Sequence, residues 1–450
     1  MGTLFGTDGI RGVANEYPMT AEMAVRAGRA VATAFRDGSE KPKIIIGRDT
    51  RLSGQMLESA LVAGICSAGG DAYLAGILPT PGVAFAAAAA KASGGVVISA
   101  SHNPFYDNGI KLFKGNGYKL SDEKEAEIEK LILDEGLVDR SQTVRETGKV
   151  IMQKDAAENY IAFLKSTLPD NFSLNGLKIV LDCANGATFR TAPQLFSDLG
   201  AEVEALGVDP DGKNINHHCG SEHLDGLIQM VSESGAEIGL ALDGDGDRLI
   251  AVDEKGQILS GDHILLICAD LMKRQGRLKN QCVVSTVMSN MGLGVALKER
   301  EIHHAKSKVG DRYVMEKMKA CGAVIGGEDS GHMIFAEHHT TGDGSLTGLK
   351  LVEAMLAENK PLSELSGKMS SYPQVLINVD VHSKPDIDSV PEIIDAIKSV
   401  ESELGDRGRV LVRYSGTQPL CRIMVEGPSE GDTQRYCKQI SDIIIKIIGI

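Results

Sequence analysis

Uninterrupted apolar runs, rather than alternating ones, mark three stretches of the chain. They are Lys43–Asp49 (KIIIGRD), Lys178–Gly186 (KIVLDCANG) and Cys282–Asn290 (CVVSTVMSN). A run without alternation predicts a strand buried on both faces, as in a parallel sheet. Each leads through a polar or Gly-rich turn into a helical stretch, as in Gly54–Ala68 and Arg190–Leu199. The theme repeats at domain scale in pattern, not in residue identity. The tail differs: Gln374–Val381, Ser389–Leu404, Arg409–Tyr414 and Arg422–Glu426 predict strand, helix, strand, strand, with a last helix in the 430s and 440s. That is a small α+β domain. Pro361 and Tyr372-Pro373 mark its junction, since Pro punctuates helices and starts extended segments. Earlier boundaries fall near 150, after the charged helix Ser121–Glu135, and near 255, at the turn Asp253–Gly256. The predicted domains are three α/β units, 1–152, 153–254 and 255–368, and an α+β unit, 369–450.

Charge narrows the function. Acids outnumber bases 61 to 47, a formal net charge of -14, which argues against non-specific nucleic-acid binding. No apolar run approaches the roughly 20 residues of a membrane span. The start, MGTLFGTDGI, lacks the basic and apolar regions of a signal peptide,. The eight cysteines are scattered without a C-x-x-C pair, and Cys66, Cys268 and Cys282 sit in apolar runs. These features predict reduced, buried thiols in a cytoplasmic protein. Phe85–Ala92 (FAAAAAKA) reads as a closely packed helix, and the terminal IIIKIIGI as a packed helix end. Gly is 51 of 450, which predicts many tight turns or loops that approach a ligand. An acidic chain that binds an anion must build a local positive site against its own field.

Four loops carry candidate chemistry. Ser99-Ala-Ser-His-Asn-Pro104 presents Ser101 beside His102, with Lys111 ten residues on. A hydroxyl near a His and a Lys can accept and donate a phosphoryl group while a basic side chain moves the proton. Asp243-Gly-Asp-Gly-Asp-Arg248 places three carboxylates at alternate positions between strand-like flanks, a donor set for Mg²⁺ or Ca²⁺. An EF-hand is excluded, because Arg248 occupies the sixth position, where Gly is needed, and the flanks are not helical,. Gly326–His332 follows the strand-like run Ala323–Ile325, and Glu328, Ser330 and His332 would offer contacts to a polyol. Arg413-Tyr-Ser-Gly-Thr-Gln-Pro419 has the composition of a phosphate cradle, with Arg422 as a second fork,. Arg11, Arg48 and Arg51 either are solvated or support a site, and Asp49 is a candidate partner for an Arg. There is no P-loop, no dinucleotide fingerprint, no G-x-S-x-G elbow and no zinc framework around the His doublets,.

The four loops in this order resemble the α-D-phosphohexomutase superfamily. Within it, FGTDGIRG, GRDTRLSG, SASHNPFYDNGIKLF, DCANGA, VGDRYV and TTGDG are similar to the bacterial phosphoglucosamine mutases. The resemblance implies three related α/β domains with mixed sheets and a C-terminal α+β domain around a central cleft. It implies an enzyme that interconverts glucosamine 6-phosphate and glucosamine 1-phosphate through a phosphoserine and a glucosamine 1,6-bisphosphate, for UDP-N-acetylglucosamine synthesis. Ser101 would carry the phosphoryl group and, with Asp243, Asp245 and Asp247, hold one Mg²⁺. Lys111 and His102 would serve proton transfer, with Arg11, Arg248 and Arg312 as nearby charge. Glu328 and Ser330 would grip sugar hydroxyls; Arg413, Ser415, Gly416, Thr417 and Arg422 would bind the unreactive phosphate. A hexosamine 1,6-bisphosphate would prime the enzyme, and a mobile tail domain would exclude water. The expected partner is a sugar phosphate, with no nucleic acid or membrane; a homodimer is left open. The sugar loop has Glu-Asp-Ser where the amino-sugar members usually show Glu-Gln-Ser, and Gln418 stands where Glu is usual. Competing readings are a phosphoglucomutase or phosphomannomutase, a sugar-phosphate-binding protein without turnover, and a phosphatase.

Overall fold

The three uninterrupted runs become the first strands of three βαβαββ repeats. The computed structural model describes residues 4–6, 8–38, 40–136, 146–415 and 419–450. In the first sheet β1 (Phe5–Gly6), β2 (Gly9–Val13), β3 (Lys43–Arg48), β4 (Asp71–Ile77), β5 (Gly94–Ile98), β6 (Asp107–Lys114) and β7 (Val150–Met152) take the order β1-β2-β6-β5-β3-β4-β7. The second holds β8 (Lys178–Asp182), β9 (Glu202–Leu206), β10 (Ile238–Leu242), β11 (Leu249–Asp253) and β12 (Ile258–Leu259) in the order β12-β11-β10-β8-β9. The third holds β13 (Cys282–Thr286), β14 (His303–Ser307), β15 (Ile325–Gly327) and β16 (Met333–Phe335) in the order β14-β13-β15-β16.

The sets β4-β3-β5-β6, β9-β8-β10-β11 and β14-β13-β15-β16 are equivalent. In each, the third strand of the repeat runs parallel to the first and antiparallel to the fourth. The sheets are therefore mixed. The turns after β5, β10 and β15 occupy one topological position, the carboxyl end of the strand where direction switches. This is where open α/β sheets place ligands. The third strand starts at Ile325, later than the predicted run, and the charged helix spans Asp122–Leu133.

The chain divides into two units, Met1–Val287 with Ala305–Ser366, and Met288–His304 with Gly367–Ile450. In the second, β17 (Gln374–Asp380), β18 (Arg409–Tyr414) and β19 (Leu420–Glu426) form an antiparallel sheet in the order β17-β19-β18. Val379, Cys421, Ile423 and Val425 pack against Ile393 and Val400 of helix Pro391–Leu404 and Ile440 and Ile444 of helix Glu430–Ile448. Ile448 is buried too, so the apolar terminus is the packed helix end the sequence predicts. No helix among the described residues is long and apolar enough to cross a membrane. All eight cysteines are free.

Part of the glycine surplus serves helix packing rather than loops. Helices Ala21–Ala34 and Gly54–Ser67 cross so closely that a Cβ on Gly28 would lie 2.1 Å from the Leu61 carbonyl oxygen, and one on Gly64 2.1 Å from that of Val25. Helix propensity favours Ala over Gly by about 1 kcal/mol. Here backbone blocks the added methyl, and overpacking costs about 1–3 kcal/mol or more. Gly64→Ala is therefore expected to lower the unfolding free energy in denaturant titration. A gain in stability would show that the helices move apart freely.

Candidate active site

Ser101 sits where the chain turns out of β5, with a left-handed backbone, φ +52°. That conformation is costly for a residue with a side chain and persists only where its surroundings over-determine it. The surroundings do so. The Ser101 N–H donates to Ser99 Oγ at 3.0 Å, and Ser99 Oγ donates to Asp49 Oδ2 at 2.6 Å. Asp49 in turn pairs with Arg51 Nε at 2.8 Å, both side chains being fully buried. The Arg51 guanidinium donates to the carbonyls of Ser101 (2.9 Å), Asn103 (2.8 Å), Asp107 (3.0 Å) and Pro104. Asn216 Nδ2 donates to the carbonyls of Ser101 and Asn103, at 2.9 and 3.0 Å. Arg51, open in the sequence between a solvated and a supporting role, is the fork that shapes this loop. Asn216 carries no sequence signal of that duty.

The aspartate loop meets it from the second sheet. A Cβ on Gly244 would come within 2.5 Å of the Ser101 carbonyl oxygen, so glycine there permits the approach. Ser101 Oγ donates to Asp243 Oδ2 at 2.5 Å. One oxygen from each of Asp243, Asp245 and Asp247 lies within 4.8 Å of the others, and all three residues are buried. Burial, and then the charges of Asp247 and Asp245, push the Asp243 carboxyl well above its ordinary pKa. Asp245 Oδ1 and Asp247 Oδ1 are buried with no hydrogen-bond partner. Orphaned hard oxygens held this close fit a divalent cation. The flanks are strands, as the exclusion of an EF-hand requires. Thr80, at the start of helix Thr80–Ala89, donates from its N–H to the Asp245 carbonyl at 2.8 Å and from Oγ1 to Asp245 Oδ2 at 2.5 Å.

Positive charge arrives on β6 and β2. Lys111 Nζ lies 2.7 Å from Asp245 Oδ2, 2.9 Å from Asp8 Oδ2 and 3.6 Å from Asp247 Oδ2. Burial works against its charge, but Asp245, Asp8 and Asp247 raise its pKa overall. Asp245 is also buried, yet Lys111 and the Thr80 hydroxyl hold it below the usual carboxylate range. Arg11 pairs with Asp8 at 2.5 Å. His102 Nδ1 is 3.3 Å from Ser101 Oγ. Burial, and next the Arg248 charge, lower the pKa of His102, which favours the neutral imidazole. Arg248 N–H donates to Asp243 Oδ1 at 3.2 Å; its Nε lies 3.9 Å from Asp247 and its guanidinium 3.8 Å from Glu222.

The sugar-loop candidates divide. Glu328 accepts the Gly310 N–H at 2.9 Å, and His332 is buried with Nε2 3.5 Å from Asp311 and 4.0 Å from Asp247. Ser330 and Asp329 are exposed, and the Asp329 charge acts on His263. Arg312 is turned to Asp122 and to Glu125, 2.7 Å away, instead of contacting the aspartates; these carboxylates of a neighbouring helix compete for it. In the C-terminal unit Arg413 and Arg422 stand directly opposite on β18 and β19. Burial, then the Arg422 charge, lowers the Arg413 pKa, and Arg422 Nε is buried without a hydrogen-bond partner. Two facing guanidiniums with an orphaned N–H suit an anion. Ser415 is buried and its carbonyl accepts from Lys384 at 2.7 Å. Gly416 and Thr417 lie outside the described residues.

Fold and loops together define a phosphohexomutase-type protein, with Ser101, an aspartate triad and the Gly326–His332 loop on three successive sheets. The models for phosphoglucomutase/phosphomannomutase alpha/beta/alpha domains I, II and III match residues 2–138, 158–256 and 260–372, and that for the C-terminal domain matches 376–443. The chain belongs to the phosphoglucomutase/phosphomannomutase family. It is 58% identical over 449 residues to a phosphoglucosamine mutase of Syntrophus aciditrophicus, and 57% identical over 449 residues to one of Syntrophobacter fumaroxidans, covering 100% of both chains in each case. Among solved structures it resembles a phosphoglucomutase/phosphomannomutase family protein from Burkholderia thailandensis, with TM-score 0.80, 26% identity and 99% of each chain covered. It shares the fold of Aspergillus fumigatus N-acetylphosphoglucosamine mutase, with TM-score 0.68, 17% identity, and 98% and 96% of the two chains covered.

Replacing Arg51 tests the frame of the serine loop. Arg51→Met leaves Asp49 buried without its cation and strips donors from four carbonyls. Breaking a buried pair from one side costs about 3–5 kcal/mol. Denaturant unfolding is expected to show a loss of that order, with Arg51→Lys recovering only part, since an ammonium cannot reproduce the fork. A loss below about 1 kcal/mol, within the range of surface pairs, would show that the loop stands without it.

Proposed function

We propose that the chain interconverts glucosamine 6-phosphate and glucosamine 1-phosphate through a phosphoserine at Ser101 and a glucosamine 1,6-bisphosphate, supplying UDP-N-acetylglucosamine synthesis. The observation that carries the chemistry is Ser101 Oγ, 2.5 Å from Asp243 in a triad of buried carboxylates. The sugar assignment draws on the full-length phosphoglucosamine mutase relatives. Asp243, Asp245, Asp247 and a Ser101 oxygen would hold one Mg²⁺, which supplies charge to a transferring phosphoryl group.

The chain's own groups divide the remaining work. His102, 3.3 Å from Ser101 Oγ, and Lys111 are the proton-transfer groups. As the serine oxygen attacks phosphorus, one takes its proton while the other protonates the departing sugar oxygen. When a sugar hydroxyl attacks phosphoserine, the same two transfers run in reverse. Lys111 also brings positive charge among Asp245, Asp8 and Asp247. Arg11 and Arg248 add charge where the phosphoryl group passes, as a loose transition state requires. Glu328 and Ser330 take sugar hydroxyls. Arg413, Ser415, Gly416, Thr417 and Arg422 take the phosphate that is not reacting. Arg312, engaged by Asp122 and Glu125, would have to exchange partners to reach substrate. A hexosamine 1,6-bisphosphate primer, a cytoplasmic location and domain boundaries near 152, 254 and 368 belong to the same proposal.

The test is turnover of glucosamine, glucose and mannose 6-phosphates with Mg²⁺ and a catalytic amount of bisphosphate. Glucosamine 6-phosphate is expected to give the highest kcat/KM. Excess chelator is expected to abolish turnover while circular dichroism stays unchanged. A preference for glucose or mannose phosphate would move the assignment to phosphoglucomutase or phosphomannomutase, and activity in excess chelator would remove the metal from the aspartate loop.

A further inference from the structure

The ion pairs around Lys111 continue beyond the aspartate loop. One Asp8 oxygen lies 2.9 Å from Lys111 Nζ and the other 2.5 Å from Lys119 Nζ. Lys119 also pairs with Asp311. Asp311 Oδ2 is 3.5 Å from His332 Nε2, which is 4.0 Å from Asp247 Oδ2, and that same Asp247 oxygen is 3.6 Å from Lys111 Nζ. Lys111, Asp8, Lys119, Asp311, His332 and Asp247 thus close a ring. Lys111 comes from the repeat that carries Ser101, Asp8 and Lys119 from the segments just before and after that repeat, Asp247 from the second repeat, and Asp311 and His332 from the third.

Lys119 is the link that joins the first repeat to the third. Its side chain is 12% exposed, so Asp8 and Asp311 must offset its desolvation. Each carboxylate has a second duty. Asp8 holds Lys111 and Arg11; Asp311 faces His332, neither of whose ring nitrogens has a hydrogen-bond partner. Gly342 approaches that ring closely: a Cβ there would lie 2.4 Å from Nε2. Without Lys119, Asp8 would have only Lys111 and Arg11 left to pair with, and Asp311 would lose the cation that fixes it beneath His332.

We propose that Lys119 is a positioning residue for the transfer step, bridging Asp8 and Asp311 so that Lys111 and His332 are both fixed against Asp247 of the aspartate loop. The proposal rests on phosphoryl transfer at Ser101. Lys119 lies outside the serine, aspartate and sugar loops, so its loss should act on the chemical step more than on binding. Displacing reacting partners by about 1 Å can cost on the order of 100-fold in rate.

The experiment compares Lys119→Met, Lys119→Arg, Asp311→Asn and the Lys119→Met/Asp311→Asn double variant, as full-length enzyme with Mg²⁺ and glucosamine 6-phosphate. Lys119→Met is expected to lower kcat about 10- to 100-fold with KM within about threefold, and Ser101 to keep its phosphoryl occupancy by intact mass. Lys119→Arg should recover at least about tenfold of that loss, and the double variant should be no slower than Lys119→Met, since both changes cut one bridge. The proposal is overturned if kcat in Lys119→Met stays within about twofold of wild type, if Lys119→Arg is as slow as Lys119→Met, or if the two single losses multiply in the double variant. Failure of the Ser101 reading is distinct: the wild type itself would then carry no phosphoryl group on Ser101.

Discussion

Three buried carboxylates within 4.8 Å of one another repel unless positive charge stands among them. That constraint organises the site. Lys111 is driven into the cluster from β6, Arg248 from the loop's own end, and two orphaned oxygens remain for a cation. Ser101 Oγ donates into the same cluster, so the residue proposed to carry the phosphoryl group is placed by the charge that the transfer needs. The formal charge of -14 is thus a poor guide to the field a substrate meets.

Topology explains why such a cluster can form. Each repeat ends in a hairpin that starts at the carboxyl end of a parallel strand, and each hairpin turn carries one part of the site. Ser101, Asp243 and Glu328 occupy the same position in three copies of one plan. A single repeat supplies Ser101, the aspartate triad or the Gly326–His332 loop; the ring from Asp8 to His332 needs residues from all three. Strands hold these turns; Arg51 braces the serine loop within the first repeat, and Asn216 and Thr80 link the first repeat to the second.

Much of this was legible in the sequence, for identifiable reasons. The uninterrupted runs at 43, 178 and 282 and the D-G-D-G-D spacing are local signals, and local signals survive without tertiary context. The cradle of Arg413 and Arg422 was legible as composition; their direct opposition depends on the register of β18 and β19. Roles set by long-range contact were not legible. Arg51 looks like any loop arginine until the chain brings the carbonyls of 101–107 around it. Lys119 carries no motif of its own, and although Asp311 lies within VGDRYV, the bridge between them acquires meaning only through partners 111 to 192 residues from Lys119. Arg312, which the resemblance places as charge near the substrate, is paired here with Asp122 and Glu125 of helix Asp122–Leu133. The glycine surplus predicts tight turns or ligand-approaching loops, a use Gly244 has; the close helix crossing at Gly28 and Gly64 carries no such local signal.

The central claim is that Ser101 is the covalent carrier. Incubating wild type and Ser101→Ala with glucosamine 1,6-bisphosphate, followed by intact-mass and peptide mapping, tests it most directly. Wild type is expected to carry one phosphoryl group, located at Ser101, and the variant none; the variant should also be inactive. A Ser101→Ala protein that retains full turnover, or a phosphoryl group mapped to another residue, would contradict it.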